Sequence, residues 1–425
     1  MKNVKYPFYV IFLLVILSAC SSSDDPTEPT APEKGIYPRF AVISDIHVGR
    51  PDSKDKVIRA LKNIQEQNPS PDAIFVVGDI TDYSKESQYN GLIQLFNQNV
   101  ASDIPVYYML GNHDVGSIDG DPLTLYMNKL GQPLHQYIEI KGFPFISVSL
   151  TNMSATYGQE EKDFLSAALE DASKKYPSHP IFLFAHIGVL NTVYGTRFSD
   201  GWGVDSFASI LKNYPQVIIF SGHSHFPIGD PRSIHQQDFT SVNVGSTAYS
   251  EIEPGFTEGI HPPGNEEVTE GIMATVDENM NVTLERLDTY RGQEIFPRWV
   301  VKAPHNGTMF TYANRDGGSS PAFDANAKPT VSNITMNSCT ISFPQAADDE
   351  VVHHYKVEIL KNGQGYKSMT IFSQFYLNSD MPDSLSANFT ELEAGTKYSV
   401  QVIAIDSYNN QSVAITTPEF TTKTN

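Results

Sequence analysis

The sequence predicts an α/β layered domain followed by an all-β domain. Three observations carry that prediction. From about Arg39 to Asp288, short apolar strands alternate with stretches of helical spacing, as expected of sheets covered by helices. From Pro329 onward the helical spacing stops, and short runs of alternating polarity follow one another, as in a small β-sandwich. Within the first region, clusters of Asp, His and Asn stand at the ends of the apolar runs.

The elements follow in order. "RFAVISDIH" reads as a strand ending in polar residues, and "KDKVIRALKNIQEQ" as a helix. "DAIFVVGDI" is a second strand and "SQYNGLIQLFNQNV" a second helix. "IPVYYMLGNHD" and "FPFISVSLTN" are strands, followed by the helix "GQEEKDFLSAALEDASKKY". "PIFLFAHIG", a helix near Val204 to Asn213, and "QVIIFSGHSH" complete the alternation. "GIMATVDENMNVTLERLD" closes it as a hairpin turning at Asp277 to Asn281. Residues 306–328 are linker by composition. Beyond them "TVSNITM", "SCTISFP", "VVHHYKVEIL", "YKSMTIFS", "SANFTEL", "KYSVQVIAID" and "SVAITTPEF" read as strands. The expected division is 37–305 for the first domain and 329–425 for the second. The two are expected to be independent, so that a chain ending near Ala327 keeps the properties of the first.

The N-terminus reads as a targeting segment. Lys2 and Lys5 precede the apolar run Phe8 to Leu17, which is short for a membrane span and suits a secretory signal. "LSAC" resembles the bacterial lipobox, which implies cleavage after residue 19 and lipidation of Cys20. Residues 20–36, rich in Ser, Pro and acid, read as a tether. "CSSSDD" resembles the export signal of surface lipoproteins in Bacteroidota-like bacteria. The expected location is therefore a bacterial membrane, at the outer membrane or cell surface. Of the two cysteines, lipidation of Cys20 leaves Cys339 without a disulfide partner. The alternating context of Cys339 predicts a small core residue.

The formal net charge of −20 argues against binding a nucleic-acid backbone, which needs a basic stripe. It argues against an anionic substrate too, unless a bound metal reverses the local field.

The polar clusters supply such a centre. "SDIH" carries Asp45 and His47, "GDI" Asp79, "GNHD" Asn112, His113 and Asp114, "FAH" His186, and "GHSH" His223 and His225. Each lies just past the C-terminal end of an apolar strand, the edge at which open α/β sheets build their sites. Oxygen and imidazole donors without thiolate suit Mn, Fe, Zn or Ni. Two carboxylates (Asp45, Asp79), the Asn112 amide and four imidazoles (His47, His186, His223, His225) make seven ligands, with His113 left over. Seven are too many for one catalytic ion and fit two ions sharing a carboxylate. At about 3.5–4 Å apart, such ions clamp the attacking and leaving oxygens of an in-line displacement.

In this order, Asp-x-His, Gly-Asp, Gly-Asn-His-Asp, His and Gly-His-x-His resemble the calcineurin-like metallophosphoesterase superfamily, over roughly Tyr37 to Asp288. The resemblance implies a layered β-sandwich flanked by helices. It implies that Asp45, His47 and His225 hold one divalent metal and Asn112, His186 and His223 the other, with Asp79 bridging. His113 would be the uncoordinated catalytic imidazole, acting as general acid against a metal-bridging hydroxide nucleophile. Asp82 of "GDITD" would orient His113, and Asp114 would cap the turn that follows it. Tyr83 stands where phosphoprotein phosphatases carry arginine. His47 and Asp82 stand where purple acid phosphatases carry glycine and a ligand tyrosine. "DIH" and "GDITD" resemble the cyclic-nucleotide phosphodiesterase branch, so a phosphodiesterase is expected. The alternatives are a phosphomonoesterase or nucleotidase, and a catalytically dead surface binding protein.

"LNTVYGTRFSDGWG" is a candidate pocket wall through Tyr194, Arg197 and Trp202, and "EIEPGFTEGIHPPGNEE" a candidate lid. His353 and His354 are expected to lie one in and one out of a sheet, with no metal role. "LEAGTKYSVQVIAIDSYNNQS" resembles the fibronectin type III domain through Leu392, Gly395 and Tyr398, which implies a surface ligand for that domain.

Overall fold

The structure, a computed structural model, describes residues 37–116, 120–256 and 259–424. The expected signal segment, Cys20 and the tether lie outside the described residues. Among the described residues no helix is long and apolar enough to cross a membrane.

The first domain contains strands β1 (Arg39–Ile43), β2 (Ala73–Val77), β3 (Val106–Met109), β4 (His135–Ile140), β5 (Phe143–Val148), β6 (Ile181–Ala185), β7 (Val217–Ser221), β8 (Ile234–Gln236), β9 (Thr240–Asn243), β10 (Glu270–Val276), β11 (Val282–Asp288) and β12 (Gln293–Val301). Its helices are α1 (Ser53–Gln65), α2 (Glu86–Asn99), α3 (Pro122–Leu130), α4 (Gln159–Lys175) and α5 (Ala208–Leu211). Two six-stranded sheets form, in the orders β12-β11-β10-β1-β2-β3 and β4-β5-β6-β7-β9-β8. The central strands β1-β2-β3 and β5-β6-β7 run parallel within their sheets.

Alternation along each central strand builds two cores. Phe40, Val42, Phe75, Phe145, Phe182, Phe184, Ile218 and Phe220 face the opposite sheet. Their rings interlock, with Phe75 on Phe184 at 4.0 Å and Phe40 against Phe182 at 4.7 Å between centroids. Their neighbours Ala41, Ile43, Ile74, Val76, Leu183 and Ile219 face the helices. There they meet the apolar stripes of α1 (Val57, Ala60, Leu61, Ile64), α2 (Tyr89, Leu92, Leu95, Phe96) and α4 (Leu165, Ala168, Leu169, Ala172). Each such large side chain contributes about 1.5–3 kcal/mol by leaving water. The hairpin β10–β11 turns where expected, with Asp277 Oδ1 accepting from the Asn279 and Asn281 amides.

Some elements differ from expectation. The helix expected over Val204 to Asn213 shrinks to the four residues of α5, because Val204 is held in a β-bridge with Val189 and Pro215 turns the chain into β7. Helix α3 has full boundary chemistry: Asp121 caps the Thr124 amide at 2.9 Å, Pro122 opens it, and Gly131 closes it at φ 65°. Residues 306–328 contain no regular element but are fastened to the first domain. Gln236 Oε1 accepts from the Thr311 and Tyr312 amides, and Arg315 reaches the Pro231 and Ile234 carbonyls.

The C-terminal region contains β13 (Thr330–Ser332), β14 (Cys339–Pro344), β15 (Val352–Lys361), β16 (Gln364–Phe372), β17 (Ser384–Phe389), β18 (Lys397–Asp406), β19 (Ile415–Thr416) and β20 (Phe420–Thr421). They form an antiparallel sheet β13-β14-β17 and a second sheet β16-β15-β18-β19, with β20 also paired to β18. All expected strands are present, the last one split in two. Cys339 is a buried free thiol between the sheets. The Tyr398 hydroxyl, also buried, accepts from the Glu393 amide at 3.0 Å.

The expected independence of the two regions meets a buried interface. Ile252 packs with Phe372, Phe375 and Tyr376. Tyr376 donates to the Pro263 carbonyl at 2.9 Å, Asn378 to Asp288 at 2.8 Å and Ser407 to Asp230 at 2.8 Å.

Candidate metal centre

The parallel strands of both sheets end at one edge of the sandwich, and every predicted cluster sits there. The loops after β1 and β2 continue side by side past the sheet: the Asp45, His47 and Val48 amides donate to the Gly78, Asp79 and Ile80 carbonyls at 3.1, 2.9 and 3.1 Å. Asp45, His47, Asp79, His223 and His225 all have positive φ, between 41° and 68°. That conformation costs a non-glycine residue on the order of 1–3 kcal/mol and persists only where the surroundings impose it. Glycines make room for the carboxylates. A Cβ on Gly111 would overlap Asp79 Oδ1, and one on Gly222 would overlap Asp45 Oδ2.

Three imidazoles are oriented from behind. His186 Nδ1 lies 2.9 Å from the Val77 carbonyl, His225 Nδ1 3.1 Å from the Tyr249 carbonyl, and His47 Nδ1 3.3 Å from Asp82 Oδ1. Each of these oxygens only accepts, so each Nδ1 carries a proton; Nε2 is then the atom left for a cation, or for a second proton when none is bound. The Nε2 atoms converge. His47 Nε2 and His225 Nε2 are 3.4 Å apart, with Asp79 Oδ2 3.7 Å from the former and Asp45 Oδ1 3.1 Å from the latter. His186 Nε2 is 3.4 Å from Asp79 Oδ2 and 3.0 Å from Asn112 Oδ1. Donor atoms of Asp45, His47, Asp79 and His225 form one close group, those of Asp79, His186 and His223 a second, and those of His47, Asp82 and His113 a third. Asp79 belongs to the first and second, His47 to the first and third.

This donor set fits divalent cations. His47 Nε2 and His225 Nε2 face each other at 3.4 Å, so a proton or a cation must lie between them. Asp45 Oδ1 is fully buried with no hydrogen-bond partner, which is costly for a carboxylate. Burial opposes ionisation of Asp45, yet His225 and His186 hold its pKa at about 2. Asp79 is likewise lowered despite burial, chiefly by His186. Burial works against charge on His186, but Asp79 and Asp45 push its pKa up to about 10. His223 is driven down to about 3 by burial and by that neighbour.

Two polar residues act differently from expectation. The Asp82 carboxylate lies 3.3 Å from His47 Nδ1, while His113 Nδ1 meets the Asp82 carbonyl at 3.0 Å; the side-chain donors of His47, Asp82 and His113 form a close group of their own. The backbone turn after Thr81 points the side chain towards the β1 loop, which decides this. Asp114 does not cap the turn that follows it. It is fully buried and accepts from the Ile80, Thr81 and Gly111 amides and the Thr81 hydroxyl at 2.7–3.1 Å, stapling the Asp79 loop to the Asn112 loop. Burial, then Asp79, raises its pKa to about 7.

Of the candidate wall residues, only Trp202 reaches the centre, its ring 5.3 Å from that of His223. Tyr194 is buried against Glu253, and Arg197 is held by Asp200 at 2.7 and 2.8 Å. Sequence reasoning missed Tyr249. Its ring lies 4.3 Å from His225, and the Arg50 guanidinium sits 4.4 Å above it. Tyr249 stands in no motif; its position after β9, at the same sheet edge, was the only signal.

Layered sheets with clustered Asp and His at their shared edge define a metal-dependent phosphoric ester hydrolase, and comparison with known proteins gives the same class. Residues 38–227 match the calcineurin-like phosphoesterase family, so this is a calcineurin-like metallophosphoesterase domain, a family that implies divalent metal ions. A probable glycerophosphodiester phosphodiesterase of Arcobacter nitrofigilis is 26% identical over 201 residues, covering 43% of this chain and 70% of that protein. A 3',5'-cyclic-nucleotide phosphodiesterase of a Nostoc species is 24% identical over 242 residues, covering 51% of this chain and 85% of that protein. Among solved structures, a purple acid phosphatase from yellow lupin (Lupinus luteus) shares the fold. Its TM-score is 0.50 at 18% identity, covering 64% of this chain and 55% of that one.

Proposed function

We propose that the first domain hydrolyses phosphodiesters at a two-metal centre. The observation that carries this reading is the membership of Asp79 in the first and second groups of converging donor atoms. Asp45, His47 and His225 would hold one cation, Asn112, His186 and His223 the other, and Asp79 both. When bound, such a pair supplies Lewis acidity to the phosphoryl oxygens and lowers the pKa of water. The chain's own residues do the rest. His113 lies beside this set, its ring 4.6 Å from that of His47. With Nδ1 donating to the Asp82 carbonyl, a protonated His113 has Nε2–H left to give to the departing alkoxide. Trp202 and Tyr249 flank opposite halves of the centre and would hold the ester's organic arms.

The diester preference draws on the two curated relatives, both of which are phosphodiesterases. Purified protein given matched alkyl diesters, monoesters and nucleotides with added Mn²⁺ should turn over diesters fastest. Faster turnover of monoesters reverses the assignment, and none at all favours a binding protein. Asp79→Ala should lower metal content at two sites; two equivalents retained per chain would contradict the bridging role.

We further read the N-terminus as a lipoprotein signal with Cys20 acylated, placing the enzyme on a bacterial membrane facing outward, and the C-terminal sheets as a fibronectin type III-like module. Mass spectrometry finding no acyl chain on Cys20 would remove the anchor.

A further inference from the structure

The first domain's segment after β9 wraps the metal centre. The Thr247 amide donates to the Ser44 carbonyl at 3.0 Å, beside Asp45. The Tyr249 carbonyl accepts His225 Nδ1 at 3.1 Å, and its ring packs on the His225 ring. The Glu251 amide donates to the His225 carbonyl at 2.9 Å. This short segment therefore sets both the position and the tautomer of one candidate ligand.

Two residues further on, the same segment is gripped by the C-terminal region. Glu253 is buried at 7% exposure and His353, from β15, at 2%. Glu253 Oε1 lies 3.2 Å from His353 Nε2 and 3.5 Å from an Arg232 nitrogen, and its other oxygen accepts from the Tyr194 hydroxyl. His353 Nδ1 is 2.9 Å from His354 Nδ1. Burial, then His353 beside it, lowers the His354 pKa to about 4; since the Glu253 carboxylate only accepts, His353 Nε2 carries the proton that faces it. The rings of Phe256, Phe372 and Phe375 box His353 at 5.0, 4.8 and 6.1 Å. Ile252, fully buried, fills the adjoining apolar cluster with Phe372 and Tyr376.

We propose that the C-terminal β-region is part of the hydrolase's working apparatus: His353 is a positioning residue that, through Glu253, holds the Tyr249–Glu251 segment against His225 and so sets cation affinity at the Asp45/His47/His225 half of the centre. The inference rests on the two-metal reading. A buried carboxylate keeps its geometry only while its partners stay in place. Without His353, Glu253 keeps Arg197, Arg232 and Tyr194, but the aromatic box beside Phe256 opens and the segment loosens two residues from its bonds to His225. Loss of partners behind a ligating histidine typically costs about 10–100-fold in metal affinity. A partner acting one step further away should cost about tenfold.

The test uses the full chain. Mn²⁺ affinity and equivalents per chain are measured by competition with a chelator for wild type, His353→Ala, His353→Gln and Asn378→Ala. Thermal stability of the metal-free proteins is read alongside. His353→Ala should weaken one of two sites about tenfold and spare the other. His353→Gln, which retains a donor for Glu253, should recover most of that loss. Asn378→Ala removes an interface bond away from the segment and should leave both affinities unchanged. Unchanged affinities in His353→Ala, with only a lower melting temperature, would overturn the positioning role while leaving the metal centre intact. Equal weakening of both sites, or no rescue by glutamine, would also overturn it. A wild-type chain that binds no metal overturns the two-metal reading itself, and this inference with it.

Discussion

At the scale of single residues, His113 and Asp82 make separable predictions. General-acid catalysis is worth about 10²–10⁴-fold, and more when the leaving group needs a proton. An alkoxide needs one badly and p-nitrophenolate hardly at all. His113→Ala should therefore keep its metal, lose most of its rate on alkyl esters and lose much less on p-nitrophenyl esters. Equal losses on both ester types, with chemistry rate-limiting, would assign His113 to transition-state hydrogen bonding instead. Asp82→Asn should not share that leaving-group signature, because its carboxylate sits on His47 Nδ1. The expected outcome is about tenfold weaker binding of one cation, measured by chelator competition, with an unchanged ratio of alkyl to aryl ester rates. The ligand candidates were legible in the sequence because each belongs to a short block at the end of an apolar strand. The duties of Asp82 and Asp114 were not. Both hang on which way a loop turns after Thr81 and Asn112, and either carboxylate could have served its neighbour on the other side.

At the scale of elements, strands and helices with strong periodicity were legible, and those defined by tertiary pairing were not. Strands β8 and β9 are short polar stretches; β9 becomes buried only beside β7, and β8 only beside β9. Strand β10 carries a testable consequence of such burial. Glu270 lies fully inside, with Oε2 accepting the Ile228 amide at 2.9 Å and Oε1 without a partner. Burial, reinforced by Asp288, pushes its pKa up from 4.5 to about 8. A carboxyl with a folded pKa above its unfolded one binds more protons when folded. Its contribution to stability is thus lost as pH rises from about 4.5 to 8. Glu270→Gln, which cannot titrate, should flatten the fall in melting temperature across that range and melt higher than wild type at pH 8. An unchanged slope would mean that the proton is taken up elsewhere.

At the scale of the whole molecule, the two regions are joined by buried charge, not merely by a tether. A chain ending at Ala327 would expose Ile252, take His353 from Glu253 and leave Asp230 without Ser407. Such a chain is expected to aggregate more readily and to bind metal less tightly than the full protein. Gel filtration and chelator competition check both outcomes. A monomeric fragment with full-length affinity would restore the independent-domain view. The sequence by itself determined the two architectures, because side chains recur on one face every 3.6 residues in a helix and every 2 in a strand. It also determined the candidate ligand set, because donors at the ends of parallel strands must gather at one sheet edge. The tertiary structure alone decided what stands behind those ligands: Asp82 on His47, Tyr249 on His225, His353 on Glu253. These contacts join residues 24 to 100 positions apart along the chain. No local pattern encodes such pairs, since their distances are set by how sheets, loops and domains pack.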